Sequence, residues 1–187
     1  MIIKRLNTSR EVVAGLHLVW DVFIRENAGS CTQQGIEEFA RFIKMENFMP
    51  LVERGEMIVF GVVEGQELGG IGAVQSDGHI SLLFVRPDLR RRGIAKALVN
   101  EMCRFCTMQL ALMRITVNAS VVSTEAYHHM GFRDLAPVQE KDGIRFVPME
   151  LMVSPANVRP SHYGKKHTGL FIGIAVTAVI FLIFLGL

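Results

Sequence analysis

From His79 to Val85 the chain is apolar almost throughout; Pro87 then interrupts it, arginines occupy positions 90–92, and Gly93 precedes a helical repeat. This passage allows one local fold: strand, turn, helix. An apolar run with no polar alternation fits a strand buried on both faces. The proline removes a ladder donor and stops the strand. The helix expected over 91–108 places Ile94, Leu98, Met102 and Phe105 on one face. A helix start offers unpaired backbone N–H groups and a partial positive charge of about +0.5. Gly93 and the small Ala95 let a ligand approach that backbone, while Arg90, Arg91 and Arg92 add charge. The loop therefore describes an anion site suited to a pyrophosphate. Alone, the same residues also describe an ordinary basic helix start. They match neither the Gly-Lys-Ser/Thr loop of nucleotide-binding proteins nor the dinucleotide fingerprint.

The flanking sequence sets this unit in a larger pattern. Ile2–Leu6 reads as a strand. Asn7-Thr8-Ser9 and Glu11 open an amphipathic helix through Val12, Leu16, Val19 and Phe23. A second helix is expected over 33–45, with Ile36, Phe39, Phe42 and Ile43 on one face. Strands follow at 57–64 and 67–75, and Asp77-Gly78 turns into the strand that ends at Val85. After the central helix come a strand at 112–117, a helix at 123–130 capped by Gly131, and strands at 132–138 and 144–153. The order β-α-α-β-β-β-α-β-α-β-β implies an α/β (α+β) domain over 1–153, a mixed sheet with helices on both faces. Residues 154–167, with two prolines and polar side chains, read as a linker.

The last 19 residues, 169–187, carry no charge and are dominated by Leu, Ile, Val, Phe, Ala and Gly. At about 1.5 Å per residue a helix of that length spans about 28 Å, near the hydrocarbon thickness of a bilayer. A transmembrane helix is therefore expected over 168–187. Arg159, Lys165 and Lys166 precede it, so the positive-inside rule places the domain on the cytosolic side, as in a tail-anchored protein. Those three cations also account for the net charge of +2; the remaining residues hold 17 basic and 18 acidic side chains, which excludes the basic footprint of a nucleic-acid binder. Met1–Leu6 lacks the apolar region of a signal peptide. Cys31, Cys103 and Cys106 form no disulfide framework, and Cys103-x-x-Cys106 lacks a second pair for a metal, so these read as core or surface thiols.

Taken together, these features resemble the GNAT superfamily of acetyl-CoA-dependent N-acetyltransferases. Arg90-Arg91-Arg92-Gly93-Ile94-Ala95 meets its Gln/Arg-x-x-Gly-x-Gly/Ala signature, after a strand and at a helix start. Tyr127-His128-His129-Met130-Gly131-Phe132 meets a second motif, an aromatic residue shortly before Gly-Phe. The resemblance covers 1–153 and implies a mainly antiparallel central sheet flanked by helices. It implies that backbone groups of Leu83, Phe84 and Val85 hold the pantetheine arm, and that Arg90, Arg91, Arg92, Gly93, Ile94 and Ala95 hold the pyrophosphate. Ser120 stands seven residues before Tyr127, where many relatives carry an asparagine; here the asparagine is Asn118, and both are candidate cofactor contacts. Tyr127 is the implied acid that protonates the departing thiolate.

No glutamate lies on the central strand, so the base is open among His79, Glu37, Glu38 and ordered water. His128 and His129 are expected to face solvent. Trp20 and Phe23 are candidates for the acceptor pocket or for the core. The expectation is acetyl transfer from acetyl-CoA to a primary amine by direct attack, since no cysteine is placed to carry a covalent intermediate. The alternative is a membrane-tethered acyl-CoA-binding sensor without catalysis. Expected partners are acetyl-CoA, an amine acceptor and a membrane; a homodimer is allowed and no metal is expected.

Overall fold

The computed structural model describes residues 1–65 and 67–154. The apolar run and all but the first residue of the linker lie outside these. Among the described residues, no helix is long and apolar enough to cross a membrane.

Strand β1 (Ile2–Leu6) leads into helix α1 (Ser9–Glu26), then α2 (Gln33–Phe42) and α3 (Met45–Glu53). Strands β2 (Met57–Glu64), β3 (Glu67–Gln75) and β4 (His79–Val85) follow. Helix α4 (Ile94–Leu110), β5 (Arg114–Ser120), α5 (Thr124–His129), β6 (Arg133–Asp134), β7 (Gln139–Lys141) and β8 (Ile144–Met152) complete the domain. The sheet runs β1-β2-β3-β4-β5-β8-β6, with β7 paired to β8. Every pair is antiparallel except β4 with β5. This is the expected mixed, mainly antiparallel sheet.

Period-2 alternation along β2 divides the interior into two cores. Ile58, Phe60 and Val62 face Leu98, Met102 and Cys106 of α4. Met57 and Val59 face Val12, Leu16 and Val19 of α1 and Phe48 of α3. Each fully buried side chain of this kind contributes about 1.5–3 kcal/mol. Local chemistry sets the ends of α1. Thr8 accepts from the Glu11 N–H while Glu11 reaches back to the Thr8 N–H, a reciprocal cap. Lys4 also bonds Glu11 at 2.8 Å and, with these contacts, holds its carboxyl down to about 2.

Two expectations need correction. The helix expected over 33–45 stops at Phe42, and α3, for which the expected element order has no place, follows it with Pro50 in its interior. A proline there costs about 3 kcal/mol. The complete burial of Phe48 and near-complete burial of Val52 against the α1-side core outweigh that cost. The strand expected over 132–138 is reduced to two residues, and a separate short strand, β7, forms the hairpin with β8.

Candidate active site

β4 and β5 pair only at His79–Thr116 and Ile80–Val117. Beyond that point they part. The cause lies on the other side of β4: its register with β3 slips between Ala73 and Val74, so that Ser81 is skipped. Such a bulge bends and twists the strand that carries it. The Gln75 side-chain amide donates to Ser81 Oγ at 2.9 Å and helps hold the bulge. β5 stays paired to β8 along its whole length, from Arg114–Met152 to Ser120–Phe146. The backbone edge of β4 from Leu83 to Val85 therefore borders a wedge-shaped cleft of about 1080 Å³. That edge explains why Leu83, Phe84 and Val85 are only half-buried, where a strand covered on both faces was expected.

The mouth of the wedge is the turn before α4. Pro87–Leu89 forms a short 3₁₀ turn, and Arg91 and Gly93 take positive φ, 62° and 80°. A side chain at Gly93 would meet no atom within 4 Å, so the space over the helix start is open for a ligand. The first-turn N–H groups of Ile94, Ala95 and Lys96 point along the helix axis toward this space. Arg90, Arg91, Gly93, Ile94 and Ala95 line the cleft, as does Lys96, which sequence reasoning did not single out. Arg92 does not: its guanidinium turns to Glu64 at 3.7 Å. Arg90 is tied to Glu26, at the end of α1, at 3.1 Å. Arg91 makes no ion pair among the described residues. The chemistry of the cradle fits a polyphosphate: backbone donors, a helix start and cationic side chains, with no Cβ in the way.

Tyr127 lies on α5 and reaches the cleft from the α4 side. It is 7% exposed, its ring meets Phe132 edge-on at 5.2 Å, and desolvation pushes its phenol above the usual range. The Phe132 N–H bonds the Tyr127 carbonyl at 3.1 Å, and Gly131, at φ 98°, makes that tight return possible. Asn118 and Ser120 line the opposite edge, on β5. Ser120 Oγ accepts from the Asn27 amide at 3.2 Å and shares a 2.8 Å bond with Ser123. The cofactor-side residues expected from sequence thus meet in one cleft, Arg92 excepted.

Of the candidate bases, only His79 is in the cleft. It sits at the closed end, where the strands still pair, with Nδ1 2.9 Å from Thr116 Oγ1; burial lowers its pKa. Glu37 and Glu38 are removed from the candidates. Glu37 accepts from Gln33 on the surface, Glu38 pairs with Arg41, and neither lines the cleft. The first is an i,i+4 pair on the exposed side of α2; the second is an i,i+3 pair whose Glu38 side chain is largely covered. His128 is taken by Asp134 at 2.7 Å, which raises its pKa, while His129 stands at the rim near Glu125. Trp20 belongs to a separate shallow groove with Ile43 and Met45, whereas Phe23 reaches the cleft.

The far wall was not legible from sequence. Phe39 and Phe42 of α2, with Asn27, Ser30 and Cys31 of the preceding loop, form one side. Lys141, Asp142, Ile144, Arg145 and Phe146 of the β7–β8 hairpin form the other. The two sides meet: the Thr32 N–H donates to the Gly143 carbonyl at 2.9 Å. A Cβ on Gly35 would lie 2.6 Å from that carbonyl oxygen, so only glycine fits the crossing. The cysteine pair of α4 is buried in the core, with both thiols pushed up, to about 11 and about 12, by burial. Among the described residues no cluster could hold a metal ion.

Comparison with known proteins agrees with this geometry. The family model described as an acetyltransferase (GNAT) domain matches residues 27–153. No curated protein matches the chain by sequence. Among solved structures, a GCN5-related N-acetyltransferase from Rhodopseudomonas palustris superposes with a TM-score of 0.69 at 14% identity, over 81% of this chain and 94% of that one. The PaiA N-acetyltransferase of Thermoplasma acidophilum, in complex with coenzyme A, gives 0.65 at 17% identity, over 81% and 99%. The aminoglycoside 6'-N-acetyltransferase from Enterococcus faecium gives 0.57 at 16% identity, over 86% and 100%. At these identities the structures speak for the fold, and the family model for membership. With two-strand cleft, arginine-rich helix start and matched domain model in agreement, the chain belongs to the GNAT acetyltransferase family.

Proposed function

We propose that the protein transfers an acetyl group from acetyl-CoA to a primary amine by direct attack. The reading rests on one observation above others: the Tyr127 phenol and the α4 cradle line the same cleft, alongside the free edge of β4. In this reading the pyrophosphate lies over Gly93–Lys96 with Arg90 and Arg91 beside it. The pantetheine arm hydrogen-bonds the backbone of Leu83–Val85 as an added strand would. Asn118 and Ser120 border the thioester. The amine lone pair attacks the thioester carbonyl carbon, and the C–S bond breaks as the carbonyl re-forms. Tyr127 gives its proton to the thiolate sulfur. The proton lost from nitrogen leaves through His79 or water and restores the phenol. No cysteine thiolate is on hand for a covalent intermediate: Cys103 and Cys106 are buried in the core on α4, and burial holds Cys31, at the cleft wall, as a thiol too.

The test is thiol release from acetyl-CoA by the full chain across a panel of primary amines. Amine-dependent release with a matching acetamide product is expected. Binding of acetyl-CoA with no amine acetylated would replace this reading with the sensor alternative.

The proposal also includes a membrane anchor at 168–187, joined by the linker 154–167, with the domain on the cytosolic side. Its support is the uncharged 19-residue run with basic residues before it. Deleting 168–187 should move the protein from the membrane pellet to the soluble fraction and leave acetyl-CoA binding intact; a truncated protein that stays in the pellet would refute the anchor.

A further inference from the structure

We infer that the acceptor is a small primary amine bearing an aromatic or large apolar group, and not a polycation. This narrows the acyl-transfer reading above and depends on it. The cleft runs through the sheet from the α4 face, where Tyr127 and the cradle lie, to the α1–α2 face. On that second face its wall is aromatic. Phe23 stacks on Phe39 with centroids 4.0 Å apart, and Phe39 reaches Phe84 at 6.0 Å. Phe84 stands between Leu83 and Val85 on the free edge of β4, and its ring packs with the α1-side core while its neighbours pack with the α4 side. Phe42 and Ile144 are half-buried and extend the same surface into the cleft. An aryl group entering here gains both area burial and offset or edge contacts with rings already in place.

A polycation finds the reverse. The carboxylates that line the cleft are Glu26, Glu125 and Asp142. Glu26 is committed to Arg90 at 3.1 Å, and Glu125 lies on α5 within 3.8 Å of both His128 and His129. Asp142 sits exposed at the tip of the hairpin. Opposing them are five cations: Arg90, Arg91, Lys96, Lys141 and Arg145. Each further ammonium on an acceptor would be desolvated against aromatic carbon, and once the donor's phosphates engage Arg90, Arg91 and Lys96 the acceptor side still carries the cations Lys141 and Arg145. Size is limited as well. The α1–α2 loop and the hairpin are joined by the Thr32–Gly143 bond, with backbone packed on backbone at Gly35. That junction closes the cleft on this side and favours a slender acceptor.

The experiment measures kcat/KM of the full chain with saturating acetyl-CoA for 2-phenylethylamine, ethylamine and the triamine spermidine. 2-Phenylethylamine is expected to exceed each of the others by about 10-fold or more, the scale on which an apolar pocket separates substrates. Ethylamine or spermidine equal to or better than 2-phenylethylamine would overturn the inference and leave acetyl transfer standing. Acetyl-CoA binding with no amine turned over would remove the acyl-transfer reading and this inference with it. Ile144→Glu supplies a second measurement, with acetyl-CoA affinity as the check on folding. It should lower the ratio of 2-phenylethylamine to spermidine by about 10-fold; an unchanged ratio in a variant that binds acetyl-CoA normally would count against the aromatic wall as the acceptor surface.

Discussion

Tyr127→Phe removes one hydroxyl and nothing else. The ring keeps its edge contact with Phe132 at 5.2 Å and its place in the core, so stability should change by less than about 1 kcal/mol. The effect on rate follows from the phenol's surroundings. Burial holds it protonated well above pH 10, so at working pH every molecule carries the proton to be donated. The same burial makes it a weaker acid than an ordinary thiol, whose pKa is about 8.5, so transfer becomes favourable only as charge builds on sulfur. A desolvated leaving thiolate is more basic too, which narrows the mismatch. General-acid catalysis supplies about 10²–10⁴-fold, and a donor mismatched in this direction belongs at the low end. A fall in kcat of about 100-fold is therefore expected, equivalent to about 2.7 kcal/mol of transition-state stabilisation. Steady-state thiol release measures kcat and the acetyl-CoA KM, which should stay within about twofold, and thermal unfolding reports on folding. A folded variant with kcat within about threefold of the native value would show that the thiolate departs without a proton from Tyr127.

The remaining predictions concern binding and folding. Arg91→Ala should weaken acetyl-CoA binding about 10-fold by calorimetry, the loss of one charge-assisted phosphate contact, while Arg92→Ala, whose side chain faces Glu64, should change it by less than about twofold. Gly93→Val places a branched side chain at φ 80°, costing about 1–2 kcal/mol in backbone strain, and should abolish tight acetyl-CoA binding in the same titration. Gly35→Ala forces the hairpin from the α1–α2 loop and should destabilise the fold by about 1–3 kcal/mol in urea, with the acceptor KM rising more than the acetyl-CoA KM. His79 is depressed when folded, so the unfolded chain binds the extra proton and stability falls as pH drops below about 6.5. Urea titrations at pH 5 to 8 should show that part of the decline missing in His79→Gln.

The central unit was legible because its signals are local. Pro87 must end β4, Gly93 must open α4, and Gly131 must return the chain toward Tyr127; each acts through its own backbone, whatever surrounds it. The reciprocal cap at Thr8 and Glu11 is local in the same way. What escaped depends on distant partners. Pro50 by itself disfavours a helix interior, and α3 forms because Phe48 and Val52 find the α1-side core. Arg92 carries the same charge as Arg91, but Glu64 from β2 draws it away from the cleft. The skipped Ser81, which parts β4 from β5, leaves no mark in an apolar strand. Phe39 and Phe42 lie on an ordinary amphipathic face, and only the approach of the hairpin, unannounced in the residues around Gly143, turns that face into a wall.

The parting of β4 and β5 has a thermodynamic side. A sheet that narrows to two paired residues at its centre joins its halves weakly there, and its stability is open to contribution from whatever spans the gap. A molecule that bonds both the β4 edge and the Asn118–Ser120 edge of β5 acts as a rivet between β1–β4 and β5–β8. By linkage, a bound ligand at 100 times its Kd adds about 2.7 kcal/mol to the folded state. The resistance of this domain to unfolding would then follow the supply of its acyl donor, tying the lifetime of the protein to the metabolic state in which it works.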